Sequence, residues 1–338
     1  MHATILASVM MAVALAPAPG PTARMQIRKP QIILPPRDIL RRLPEIDSVM
    51  VYKTFPDREW VEAGLPKAME FFGVGGQLQP SRTAGGLLVA QQGRRYAEAY
   101  EASGASFCAD LKRIWPLVRP DQIGRIRTRE LSREVTLERA QQLVRQLGAL
   151  PREKVRAIYL PDEMYLQMPQ GETRRVLVSA AVVFRRVVEG MSVEGPGGKL
   201  KVYFDMGGQP AGLLRTMRVL QPYKKMAIRS AKTVLAQIRK QPIRRQLLAG
   251  VRAVEVSRIK LVYYEGQPSQ PQKFLQPVYM VTGVASGRVG ERSFSVPYCE
   301  YIPALKEKIE PVFGVAAKFQ AKPRSSMPAQ PQWQDKDE

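Results

Sequence analysis

The stretch AVVFRRVVEGMSVEGPGGKLKVYFDMGGQPAGLLRTMRVLQP, Ala181 to Pro222, decides how this chain folds. It reads as short strands separated by tight turns. Val182 to Val188 is the first, stopped at Glu189-Gly190. Met191 to Glu194 is a short leg that ends at Gly195-Pro196-Gly197-Gly198, and Leu200 to Asp205 follows. Leu200, Val202 and Phe204 share one face because strand side chains alternate. Gly207-Gly208 supplies a turn, since glycine takes positive φ without steric cost, and Leu213 to Leu220 returns. The glycine run before Lys199 looks superficially like a phosphate loop. Such a loop needs G-x-x-x-x-G-K-[ST] ahead of a helix, whereas a strand follows here, so the run reads as a hairpin turn.

Upstream, Thr136 caps a helix from Leu137 to Leu147, with Leu137, Ala140, Leu143, Val144 and Leu147 on one face and Gly148 closing it. Val155–Tyr159 and Arg174–Val188 read as strands. Earlier still, Val49–Thr54 is a strand and Asp57 N-caps a helix from Arg58 to Phe72, in which Pro66 implies a kink or a later start. Gly86–Ala90, Arg94–Tyr100 and Ser106–Leu111 form a meander. Downstream, the spacing of Ile228, Ala231, Leu235 and Ile238 predicts a helix from Lys224 to Arg239. The strands Val254–Tyr264, Phe274–Gly283 and Arg292–Pro297 follow, then a short helix from Pro303 to Val312. The expected fold class is α+β, with two to three repeated helix-plus-antiparallel-sheet modules at residues 46–118, 134–222 and 223–305.

The 338 residues carry 52 Lys+Arg against 30 Asp+Glu, a net charge of +22 and a pI near 10.2. Such a surface attracts polyanions, whether nucleic acid, anionic lipid or acidic wall polymer. Ala3 to Ala16 is apolar and runs into Pro17-Ala18-Pro19-Gly20, the pattern of a signal peptide over residues 1–20, too short for a membrane span. Residues 21–45 read as a Pro/Arg-rich linker and 318–338 as a disordered tail. These features place the protein outside the cytoplasm. Cys108 and Cys299 lie far apart in sequence and read as two inert buried thiols, with a disulfide between them as the alternative for an exported chain.

The catalytic inventory is thin. His2 is the single histidine and belongs to the leader, which removes His-based triads and the H-E-x-x-H zinc site from the mature chain. Asp162, Glu163, Glu189, Glu194, Asp205 and Glu300 sit at turns or strand ends, where solvated acids are ordinary. No catalytic residue, metal or cofactor is expected. Charge is the sharpest feature: Arg215 to Lys260 holds thirteen Lys/Arg and one acid, Glu255. On the expected helix Lys225, Arg229 and Lys232 fall at i, i+4 and i+7, with Arg239 near its end. That stripe is a candidate anion-binding surface for lipid headgroups or wall polymer, or a solvated face. Tyr263, Tyr264 and Tyr279 could line a peptide groove, or serve cross-strand packing. Nucleic acid is not expected, because Tyr223 is the one stacking aromatic among the charges.

Three segments carry a family resemblance. VVFRRVVEGMSVEGPGGKLKVYFDMGGQPAGL (182–213) resembles the central signature of PepSY-type, YcdB-like secreted bacterial proteins. VEVSRIKLVYYEGQPSQPQKFLQPVYMVTG (254–283) looks like its companion, and SVMVYKTFPDREWVEAGLPKAMEFFGVGG (48–76) is similar to the family's leading helix module. The resemblance implies exported, non-catalytic, cystatin-like α+β modules that bind or regulate a peptide or protein at the cell envelope.

Overall fold

The alternation in Lys199–Phe204 is what the structure builds on. A computed structural model describes residues 31–33, 46–81, 86–114, 128–167, 173–240, 251–289 and 291–310. The signal peptide expected over 1–20 and the tail expected over 318–338 lie outside these residues. Strands dominate. β1 (Gln31–Ile33) and β2 (Ser48–Phe55) precede a π-helical turn, Trp60–Gly64, that runs into α1 (Leu65–Phe71). β3 (Gln79–Pro80), β4 (Leu87–Gln92), β5 (Arg95–Tyr100) and β6 (Ala105–Asp110) follow, then α2 (Leu111–Ile114), a 3-10 turn at Thr128–Leu131 and α3 (Arg133–Gln146). The meander is β7 (Lys154–Gln167), β8 (Thr173–Val188), β9 (Met191–Glu194), β10 (Lys199–Phe204) and β11 (Pro210–Thr216). β12 (Val219–Ala227), α4 (Ala231–Lys240), β13 (Val251–Tyr264), β14 (Phe274–Val289) and β15 (Arg292–Pro303) complete the order.

All fifteen strands join one mixed sheet, which overturns the expected α+β repeat of helix-plus-sheet modules. The path runs β12-β2-β14-β13-β9-β8-β10-β11-β6-β5-β4-β3, with β1, β7 and β15 branching from it. β2, expected in the first module, pairs instead with β12 and β14 from the far end of the chain. A cystatin-like unit closed on its own helix does not fit that pairing. The linker expected over 21–45 contributes β1, which pairs in parallel with β13.

Other boundaries moved for local reasons. The helix expected from Lys224 begins only at Ala231, because Lys224 to Ala227 hydrogen-bond along β2 and finish a sheet edge. Tertiary pairing there overrides helical spacing. Ser132, not Thr136, stands before α3, and Thr136 Oγ1 donates back to the Ser132 carbonyl at 2.6 Å. No helix follows Pro303 over the described residues 304–310; Leu305 bridges Ile228 instead. Asp57 does cap its helix, accepting the Trp60 N–H at 3.1 Å, and Pro66 sits in the first turn of α1 behind the π turn.

Two large cores lie on the sheet. Leu200, Val202 and Phe204 are buried together with Val182, Phe184, Leu213 and Cys108, under α1 and α3. Val254, Val256, Ile259, Leu261 and Tyr263 form the second with Val49, Val51, Val281 and Val234 of α4. Between the cores the sheet forks. β9 and β10 both run antiparallel to β8 along the same edge, while β9 also pairs in parallel with β13. The run Gly195–Gly198 is therefore no hairpin turn: the chain sidesteps and continues in the same direction.

Candidate functional site: a cationic row across the sheet fork

Residues directly opposed in register share a sheet face. Arg156 of β7 opposes Arg185 of β8, which opposes Lys199 of β10. Three cations thus stand in a row on adjacent strands, spaced about 4.8 Å apart in the backbone. Lys154 and Lys201 lie two residues along their strands on the same face. Lys260 reaches the row from β13, its Nζ donating to Ser192 Oγ at 3.2 Å, and Arg258 lies two residues before it. The carboxylates here are Glu194, which accepts from Arg185, Asp162, which accepts from Ser179 Oγ at 2.9 Å, and Glu255. Among the described residues these seven cations outnumber the carboxylates beside them.

The electrostatics confirm the proximity. Burial, then the charges of Arg185 and Lys201, hold the Lys199 ammonium below the ordinary lysine value, against the pull of Glu265. Burial followed by Arg258, Arg156 and Arg185 does the same to Lys260. Burial lowers Lys201, with Asp162 opposing. Arg156 and Arg258 are exposed, while Lys199, Lys201 and Lys260 are half-buried. Lys201 Nζ lies 4.3 Å from the Tyr203 ring centroid, and Tyr264 and Tyr301 pack with centroids 4.9 Å apart. Such a surface supplies charge-assisted donors to oxyanions.

On the opposite face the fork holds a buried ionic seam. Arg186 Nη1 lies 3.8 Å and Arg218 Nη1 3.4 Å from the Glu265 carboxylate, and Arg186 Nε lies 3.5 Å from Glu153. Arg218 also donates its backbone N–H to Glu265 at 3.0 Å and its Nη2 to the Gln270 carbonyl at 2.6 Å. Arg215 pairs with Asp57 at 2.7 Å and lies over the Trp60 ring. The glycine run exists for this packing: a Cβ on Gly197 would sit 2.6 Å from Glu265 Cγ, and one on Gly195 2.5 Å from the Glu265 carbonyl.

The residues singled out from sequence do not assemble. Lys225 lies in β12, Arg229 in the connection where it donates to the Pro303 carbonyl, and Lys232 and Arg239 in α4. Tyr263 and Tyr279 are core residues whose hydroxyls donate to the Met50 and Arg229 carbonyls at 2.7 and 2.8 Å. Tyr264 packs with Val262 and Val278 in a different cluster, so the three line no common groove. Cys108 is buried as expected and its thiol is pushed up to about 12 by burial; Cys299 is exposed, against expectation, and both are free. The cationic row was missed, although its signal is the other half of a pattern already used. Lys199, Lys201 and Tyr203 alternate with Leu200, Val202 and Phe204. Among the described residues no group of His, Cys, Asp and Glu is placed to hold a metal ion. A groove of about 570 Å³ beside α1, lined by Pro66, Met69, Val74 and Leu78, takes in none of these cations.

No protein-family description and no curated protein matches this chain. It is similar to an uncharacterized protein from Eubacterium rectale ATCC 33656 known from a 1.45 Å crystal structure. The likeness has a TM-score of 0.44 and 14% identity, over 76% of this chain and 82% of the other. It says nothing of activity.

Proposed function

We propose that the protein is an exported binding protein, not an enzyme, and that it holds an extended anionic polymer of the cell envelope across the sheet fork. One observation carries the reading: Arg156, Arg185 and Lys199 are directly opposed on three adjacent strands. Like charges directly opposite cost roughly 0.2–1 kcal/mol each, so the row does not serve stability. Half-buried Lys199 and Lys201 beside exposed Arg156 suit a slender chain laid along the row, more than a flat bilayer. The apolar run Ala3–Ala16 supports export. An extended peptide added to an open sheet edge is a poorer fit. β12 is such an edge, and it carries Pro222, a bulge between Pro222 and Lys224, and exposed Lys224 and Lys225, the devices that block strand addition.

The test is calorimetric titration with poly(glycerol phosphate) at low and high salt. Wild type should bind, and weaken as salt rises. Arg156→Glu/Lys199→Glu/Lys201→Glu should lose roughly a hundredfold, at ~1 kcal/mol per cation. Arg156→Glu/Arg258→Glu, confined to exposed positions, should lose about thirtyfold with the fold intact. Lys225→Glu/Lys232→Glu should bind as wild type. Equal binding by wild type and both row variants would end the proposal, and tighter binding of an oligonucleotide would reassign the ligand.

A further inference from the structure

A second surface, at the β2–β12 end of the sheet, turns apolar side chains to solvent. Val219 and Phe55 are directly opposed and are 45% and 44% exposed. Two residues along, Gln221 opposes Lys53, and two further comes Tyr223, 47% exposed. Lys53 Nζ lies 5.2 Å from the Tyr223 ring centroid. Phe274, opposite Lys53 on β14, places its ring 5.2 Å from that of Tyr223. These contacts put Phe55, Val219, Tyr223 and Phe274 on one face. Lys53 and Lys224, which opposes Val51, are exposed on that face. The neighbouring acid is Glu310, whose carboxylate accepts the backbone N–H groups of Lys273 and Phe274.

We infer that this corner seats the protein on an anionic lipid surface. Singly exposed apolar residues are ordinary, but contiguous ones mark contact surfaces. Aromatic rings mixed with lysines are the composition of the membrane interface, where rings enter the headgroup layer and ammonium groups meet lipid phosphates. Two rival occupants fit worse. Pro222 and its bulge deny a peptide strand the edge. A second copy related by a two-fold axis would set Lys53 and Lys224 against themselves. The corner is separate from the cationic row and does not depend on it. With a leader over residues 1–20, the surface would meet the outer leaflet after export.

The test is co-sedimentation of the full chain with vesicles of phosphatidylcholine alone and of phosphatidylcholine mixed with phosphatidylglycerol. Wild type should pellet with the mixed vesicles and not with the neutral ones. Phe55→Ser/Tyr223→Ser should weaken that binding about tenfold, and Lys53→Glu/Lys224→Glu by a similar factor. Thermal melts of each variant separate loss of binding from loss of fold. Arg156→Glu/Arg258→Glu, which weakens polymer binding, should pellet as wild type, so the two surfaces stand or fall separately. Three results would overturn the inference: no pelleting of wild type, pelleting of Phe55→Ser/Tyr223→Ser at the wild-type level, or a wild-type dimer that this variant abolishes.

Discussion

Arg185 and Arg186 are consecutive in β8 and point to opposite faces of the sheet, and their surroundings could hardly differ more. The Arg186 side chain is 2% exposed and sits between Glu153 and Glu265, with Arg218 across the same carboxylate. The Arg185 side chain is 32% exposed and stands between Arg156 and Lys199, with Glu194 as its one acid partner. On the buried side positive charge is matched, and the matching joins the two cores. On the open side it is left in excess, and the excess is available to a ligand. The comparison teaches that the +22 of the chain is not one property: part of it is structural and already spoken for.

The buried side should give the largest response. Glu265 is 0% exposed, and Glu265→Gln keeps its shape while leaving Arg186 and Arg218 without their shared carboxylate. Removing one partner of a buried pair costs about 3–5 kcal/mol, because the remaining charge is stranded away from water. Urea denaturation should show that loss, and Arg218→Met in the same background should recover part of it. A loss under about 1 kcal/mol would mean that the seam is wet, and the contrast between the faces would fail.

A smaller effect follows from the close approach of the loop. Gly197→Ala places a methyl group 2.6 Å from Glu265 Cγ and 3.0 Å from its Cδ. Glu265 cannot swing away without releasing Arg218, so overpacking of roughly 1–3 kcal/mol is expected by the same denaturation assay. Gly197 does not have the positive φ of Gly195 and Gly198, so the loss reports the close approach alone. A loss of only a few tenths of a kcal/mol would show that the fork tolerates the methyl group.

What was legible in the sequence divides along the same line. The apolar half of Lys199–Phe204 announced a strand with a buried face, and the strands β8 to β11 stand close to their expected places, although Gly195–Gly198 is not the hairpin turn it was read as. Asp57 as an N-cap was readable from its place before an amphipathic run. Long-range pairing was not. Nothing local to Ser48–Phe55 says that its neighbours are residues 219–227 and 274–275, so sequential helix-and-sheet units looked complete when they were not. Helical spacing of Lys225, Arg229 and Lys232 was a coincidence of counting across a strand end. The cationic row needed the register of three strands before Arg156 could be set beside Arg185. Glu265 gave no sign, since a lone acid after Tyr263-Tyr264 reads as a solvated loop residue.

The smallest expected effect is the most exacting for the open face. Arg156 is exposed and directly opposes Arg185, and Arg156→Gln removes one charge from the row without opening a cavity. If the row is held against its own repulsion, this variant should be more stable than wild type at neutral pH by a few tenths of a kcal/mol. High salt should close the gap, because screened charges no longer repel. Alkali should narrow it too, and the sign follows from Lys260. Its folded value lies below the ordinary 10.5, partly through Arg156. Between that lowered value and 10.5 the unfolded wild-type chain binds more protons than the folded one, so wild-type stability rises with pH. In the variant Lys260 is less depressed and the rise is smaller. The other titrating groups are common to both chains and cancel in the difference. Paired denaturation curves from neutral pH to about 10 measure it. A variant less stable than wild type at every salt concentration would show that Arg156 holds the sheet together, and the row would then lose its claim to be a binding surface.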